Sequence, residues 1–279
     1  MRNLAVAVAL AVCVPAAPGA WTDAVFAQVS CGDELTADTT LTDTDPVVTG
    51  VCPKHGLLLG ASSPGVGVTL DCGGRTIAGS GKGIGLKVGP GVEGATILNC
   101  VVDGFKSGIV LGGAGFHGVF GGVVTDSTGD GVTVSSDGNV VGGVVVQNNR
   151  GYGIKVSGRE NEVGETSVAI GNGKAGLFVR GKSHVIDGTV AVGNAGEGLA
   201  GSGTDLTISG NLAVDNAGTG MAFRGGSARL PNFFFGNKAI SNAGNGIVVT
   251  GANNVDDGEN LGVANLGAVQ CAIAGQACQ

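Results

Sequence analysis

From Gly85 onward the chain repeats a short pattern of apolar and polar positions. A glycine followed by an aliphatic residue recurs at Gly85-Leu86, Gly108-Ile109, Gly131-Val132, Gly153-Ile154, Gly176-Leu177, Gly198-Leu199, Gly220-Met221 and Gly246-Ile247, at intervals of 23, 23, 22, 23, 22, 22 and 26 residues. Two positions after the aliphatic residue another apolar one follows: Val88, Leu111, Val134, Val156, Val179, Phe223 and Val249, with Gly201 as the exception. That alternation predicts a strand with one face buried. A second strand precedes each anchor glycine, as in Ser167-Val168-Ala169-Ile170 and Thr189-Val190-Ala191-Val192. A third, weaker one lies between them, around Asn139-Val140-Val141, Asn161-Glu162-Val163, His184-Val185-Ile186 and Leu206-Thr207-Ile208.

Three short strands and three turns in 22 to 23 residues make one coil of a parallel β-helix. Helical repeats of the ankyrin or tetratricopeptide kind need about 33 residues and a 3.6 period. The predicted fold is an all-β solenoid of about eight to nine coils with capped ends. An asparagine stands four residues before the anchor glycine at Asn149, Asn172, Asn194, Asn216 and Asn242. Asn tolerates left-handed backbone, and stacked amides satisfy one another inside a dry corner, so these five are expected to form a structural ladder. Residues 28–279 read as one domain, with 31–55 as an N-terminal cap and 252–279 as a C-terminal cap covering the open strand edges.

Glycine contributes 56 of 279 residues, without the strict every-third-residue period of collagen. Charged residues are 13% and apolar ones 43%, which excludes ordinary disorder. Residues 1–27 read as a signal peptide: Arg2, then an apolar run from Leu4 to Ala17, then Val25 and Ala27 before a cleavage site. A rival reading takes Leu10-Ala11-Val12-Cys13 as a lipobox, with Val12 where a small residue is usual. Neither this run nor any later segment is long enough to span a membrane. The expected location is therefore secreted or periplasmic. Six cysteines remain after cleavage, an even number that suggests disulfides in an exported chain. Of 15 connectivities, their grouping favours Cys31–Cys52, Cys72–Cys100 and Cys271–Cys278; Cys72 and Cys100 also read as reduced, buried thiols. A net charge of −7 argues against a nucleic-acid partner.

The N-terminal third resembles a bacterial group of right-handed parallel β-helix repeat proteins with the pectate-lyase-like fold. The resemblance rests on Cys31-Gly32-Asp33, Leu35-Thr36-Ala37-Asp38, Cys52-Pro53, Leu70-Asp71-Cys72-Gly73-Gly74 and Asn99-Cys100-Val101-Val102-Asp103-Gly104-Phe105, and the later coils fit the fold's general repeat. It implies a right-handed solenoid, and a fold shared by polysaccharide lyases, hydrolases, epimerases, adhesins and proteins without activity. Polygalacturonases of this fold carry Asn-Thr-Asp, Asp-Asp, Gly-His-Gly and Arg-x-Lys in that order. Here Asn-Thr-Asp is missing, His117 stands in Phe-His-Gly, and Arg180-Gly181-Lys182 precedes Asp256-Asp257.

Candidate chemistry is sparse, and no catalytic set is assigned. Asp103 and Asp126, five residues before their anchor glycines, would stack in adjacent coils; such a pair suits calcium or a shared proton, or is simply two turn residues. Lys155, Phe178, Arg180 and Arg224 lie at outward positions of the anchor strands and form a cationic patch with one aromatic, the best place for a sugar. The column Val101, Val124, Val146, Ala169, Ala191, Ala213 and Ala239 is expected to be an outward apolar stripe, covered by the C-terminal tail or another subunit. In Phe233-Phe234-Phe235 alternation turns Phe234 away from its neighbours and leaves a ring exposed. His184 reads as a turn residue. The favoured function is a non-catalytic exported protein that contacts polysaccharide or cell-surface material. The alternatives are a structural or adhesin-like protein, and a polysaccharide lyase, hydrolase or epimerase.

Overall fold

A computed structural model describes residues 28–63 and 65–278; the expected signal peptide and lipobox lie outside them. Each coil contributes one strand to each of three parallel sheets. In one coil these are Ile84–Val88, Thr96–Leu98 and Val101–Asp103. We number the sheets 1, 2 and 3 in that order. Sheet 1 has twelve strands, and sheets 2 and 3 have ten each, so the solenoid has about ten coils. The excess over the expected eight to nine comes from the terminal segments. Residues 31–55 add Glu34–Leu35, Thr39–Thr40 and Val51–Cys52 to the three sheets, with one short helix, Pro46–Thr49, between the last two. The last coil ends in a hairpin, Cys271–Ile273 with Gln276–Ala277, on the edge of sheet 1. The structure closes Cys31–Cys52, Cys72–Cys100 and Cys271–Cys278, bonds that suit an oxidising compartment. No helix of the described residues is long and apolar enough to cross a membrane.

The anchor glycines have a specific cause. A Cβ on Gly198 would meet the Ala213 methyl at 2.7 Å, and one on Gly220 would meet Ala239 at 2.7 Å. Sheet 3 therefore points that column into the core, against the glycines of sheet 1. This corrects the expected outward stripe: Val124, Val146, Ala169, Ala191, Ala213 and Ala239 are fully buried. Val101 is not in their column; its neighbour Val102 pairs with Val124, and Val101 pairs with Val123 on the outer face. Nor does the C-terminal tail cover sheet 3, because it finishes on sheet 1. Instead the tail crosses the end of the core. Gly262 stands where the previous coil has Ala239, and a Cβ there would collide with the Gln270 backbone.

Polar groups line the three corners. In the expected ladder, the Asn172 Oδ1 accepts from the Asn149 backbone N–H at 3.1 Å and from its Nδ2 at 3.0 Å. The pattern repeats through Asn194, Asn216 and Asn242 to Asn265, where the Gln270 side chain closes the row. Left-handed backbone falls on the residue before each ladder asparagine, as at Asn148, Asp215 and Ser241, rather than on the asparagine itself. A second ladder runs Asn211, Asn237 and Asn260. A third joins His117, Asn139, Asn161 and His184. His184 is thus a fully buried ladder member at a corner. Its Nδ1 accepts the Asn161 N–H, which leaves the proton on Nε2 facing the Arg180 carbonyl at 3.3 Å. The long interval from Gly220 to Gly246 is a turn from Ser227 to Leu230. Beyond it Phe234 packs on Phe223 with ring centres 5.6 Å apart, while Phe235 is 45% exposed, as alternation requires.

Candidate functional site on sheet 1

The outer face of sheet 1 holds the expected patch. Lys155 and Phe178 are register partners in adjacent coils, and Arg180 lies two positions beyond Phe178 on the same face. Arg224 shares the row of Arg180, with Ser202 between them. Two coil spacings put these guanidinium stems roughly 10 Å apart. The adjacent strands Ile154–Arg159 and Leu177–Lys182 carry Lys155, Arg159, Arg180 and Lys182 and no carboxylate, in a chain whose net charge is −7.

The structure adds two residues that sequence reasoning missed. Tyr152 stacks beside Phe178, with ring centroids 5.1 Å apart and planes tilted by 32°. The Lys174 ammonium lies 4.9 Å from the Tyr152 ring centre and that of Lys155 lies 5.8 Å from it. Both distances are within cation–π reach. Tyr152 is held by its backbone: its N–H donates to Asp130 Oδ1 at 2.9 Å, and its carbonyl accepts from Gly131 at 2.9 Å. The other Asp130 oxygen faces Lys155 at 3.7 Å. The adjacent carboxylate is therefore occupied in positioning the aromatic and one cation. A signal for Tyr152 exists in the sequence. Asp130 and Tyr152 each stand one position before an anchor glycine, in adjacent coils.

Two half-exposed rings bordered by cations can take the apolar face of a pyranose while Lys and Arg donate hydrogen bonds to its oxygens. Surface depressions lined by Asp38, Thr42 and Asp45, and by His55, Leu58 and Lys87, stand in other coils.

The acidic pair is offset from the expected stack. Asp103 is opposite Thr125, and Asp126 is the next residue, in left-handed backbone. The spacing between partners grows from 22 residues at Asp103–Thr125 to 23 at Ile109–Val132, so the extra residue lies in the corner between. Asp126 accepts from the Thr125 hydroxyl at 2.8 Å. Burial, and then the Asp126 charge, push the Asp103 carboxyl above its ordinary pKa. Among the described residues no group of three or more His, Cys, Asp or Glu side chains converges as a metal site would require.

No curated protein matches the sequence. Among solved structures, the Azotobacter vinelandii mannuronan C-5 epimerase AlgE4 A-module superposes with a TM-score of 0.53 at 19% identity, over 85% of this chain and 67% of that one. An alginate lyase from a Paenibacillus species superposes with a TM-score of 0.39 at 17% identity, over 81% of this chain and 95% of that one. The former likeness is one of fold. The model of the right-handed β-helix region matches residues 91–261, more than half the chain and most of the coils described above. The chain belongs to the right-handed β-helix family.

Proposed function

We propose that this is an exported β-helix protein that binds polysaccharide or cell-surface glycan through the outer face of sheet 1, without transforming it. The observation that carries this reading is the Tyr152–Phe178 ring pair flanked by Lys155 and Lys174. Arg180 and Arg224 extend it along the solenoid axis, so a chain lying along the coils meets a donor at intervals. Aromatic faces supply contact area at low entropic cost, and guanidinium groups recognise carboxylates and hydroxyls. The fold likeness to a polysaccharide epimerase module supports a carbohydrate ligand.

That same likeness favours the second reading, a lyase or epimerase. Catalysis would require a free base and acid within hydrogen-bond reach of one sugar ring. The nearest carboxylate, Asp130, is already engaged by Tyr152 and Lys155. An ultraviolet-absorbance lyase assay on a polyuronate panel, with and without calcium, together with proton NMR of the polymer, separates the two. The proposal expects unchanged polymer, and binding that is lost in the Phe178→Ala, Arg180→Ala double variant. New unsaturated ends, or epimerised residues, would establish the enzyme reading.

A further inference from the structure

Sheet 3 turns an aliphatic face to solvent. One outward row reads Val101, Val123, Val145, Val168, Val190 and Leu212 through six consecutive coils. The row beside it carries Ile170, Val192, Val214 and Ile240 and ends at Val263. Ile170, Leu261 and Val263 are 37%, 46% and 43% exposed. Strands such as Val190-Ala191-Val192 are apolar on both sides, the pattern of a parallel sheet buried on both faces. The outer face of sheet 1, with its Lys and Arg, shows that this is not a property of the whole solenoid. Among the described residues the C-terminal segment pairs on sheet 1, held there by Cys271–Cys278, and not on sheet 3.

From the coil of Val101 to that of Leu261, these two rows contain two charged residues, Asp103 and Lys238. They sit near opposite ends. We propose that sheet 3 pairs with sheet 3 of a second copy of this chain, the two solenoid axes antiparallel about a two-fold near Val168. That arrangement lays the coil of Lys238 on the coil of Asp103 of the other copy, once at each end. A parallel pairing would instead set the coil of Lys238 on the same coil of the other copy, and likewise the coil of Asp103, which like charges oppose. The self-complementary patch is what a two-fold contact needs. It also offers Asp103 a cation where burial and Asp126 now disfavour its charge. Eight strands about 4.8 Å apart and three residues wide give a face of roughly 35 by 10 Å. Counted on both copies that is roughly 700 Å², below the about 1,200 Å² where stable interfaces begin, so the contact is a weak one and the dimer dissociates at low concentration. It would present two sheet 1 patches at once, and gain avidity for a polymer.

Sedimentation velocity over a range of protein concentrations tests this. The wild-type protein is expected to dimerise by about 100 µM, and Val190→Lys to remain monomeric with an unchanged circular dichroism spectrum. Lys238→Glu or Asp103→Lys alone should weaken the dimer about tenfold, and the two together should restore it. This charge-reversal pair decides the matter even if Val190→Lys fails to fold. A wild-type monomer at that concentration overturns the proposal, as does a dimer indifferent to Val190→Lys. A dimer indifferent to the charge reversals overturns the antiparallel arrangement. A monomer that co-sediments with phosphatidylglycerol vesicles through this face assigns it to lipid instead.

Discussion

Replacing Asn194 with alanine removes four hydrogen bonds in the middle of the longest ladder. The Asn194 Oδ1 accepts from the Asn172 backbone N–H at 2.9 Å and from the Asn172 Nδ2 at 3.0 Å. Its Nδ2 donates to the Ala169 carbonyl at 3.0 Å and to Asn216 Oδ1 at 2.9 Å. After truncation the Asn172 Nδ2 still reaches the Val146 carbonyl, and Asn216 Oδ1 still receives the Asn194 N–H. Two groups lose out: the buried Asn172 N–H, and the Ala169 carbonyl on its side-chain side. A buried polar group left unpaired costs about 1–3 kcal/mol, so with two such groups the variant should lose roughly 2–6 kcal/mol. Set against a typical total of about 5–15 kcal/mol, that is a large fraction. Guanidinium unfolding followed by far-ultraviolet circular dichroism measures it as a shift in midpoint at constant slope. A loss below about 0.5 kcal/mol, within the range of ordinary surface substitutions, would refute the view that the ladders hold the coils together.

Other consequences are as direct. Burial holds His117 and His184 below the ordinary histidine pKa, despite nearby Glu93 and Asp137 respectively. Their contribution is therefore full above about pH 6.5, the unfolded value, and is lost as pH falls toward the lower folded values; a melting temperature flat from pH 7 to about 4.5 would contradict this. The buried Cys72–Cys100 bond closes a separation of 28 residues. Its double alanine variant should lose about 2–4 kcal/mol in the same denaturation assay, and the Cys271–Cys278 pair, which closes a separation of only 7 residues, less. Gly198→Val places a side chain against Ala213 and the Asn216 amide, so it should sharply reduce soluble folded protein, whereas Gly188→Ala, where the space is open, pays only for its left-handed backbone. Phe234→Ala empties a fully buried site against Phe223 and should cost about 3–5 kcal/mol by thermal unfolding.

The repeat was readable because one residue type is obligatory at one place in each of the repeating coils. Gly176, Gly198 and Gly220 cannot carry a Cβ beside the inward methyls of sheet 3, so the spacing of the coils survives in the sequence. The facing of sheet 3 was not readable from alternation. Val190-Ala191-Val192 is apolar throughout, and only the size of the middle residue, fitted to a glycine across the core, marks it as inward. The other ladders were hidden because their members change type. His117 and His184 serve in one as backbone acceptors, and Thr189 precedes Asn211 in another. The terminal coils escaped the count because Glu34–Leu35 has no anchor glycine and the last coil ends in a hairpin. At the candidate site, Phe178, Lys155 and Arg180 follow from strand alternation. Tyr152 and Lys174 sit at corners, where side-chain direction depends on turn geometry rather than on period.

Glycan binding through the ring pair is tested by a glycan array probed with the wild-type protein and with Tyr152→Ala and Phe178→Ala. The wild-type protein is expected to bind a restricted set of polysaccharides, with binding reduced at least tenfold in each variant and circular dichroism spectra unchanged because both rings lie on the outer face. Binding that survives in both variants, or no binding by the wild-type protein, would contradict it.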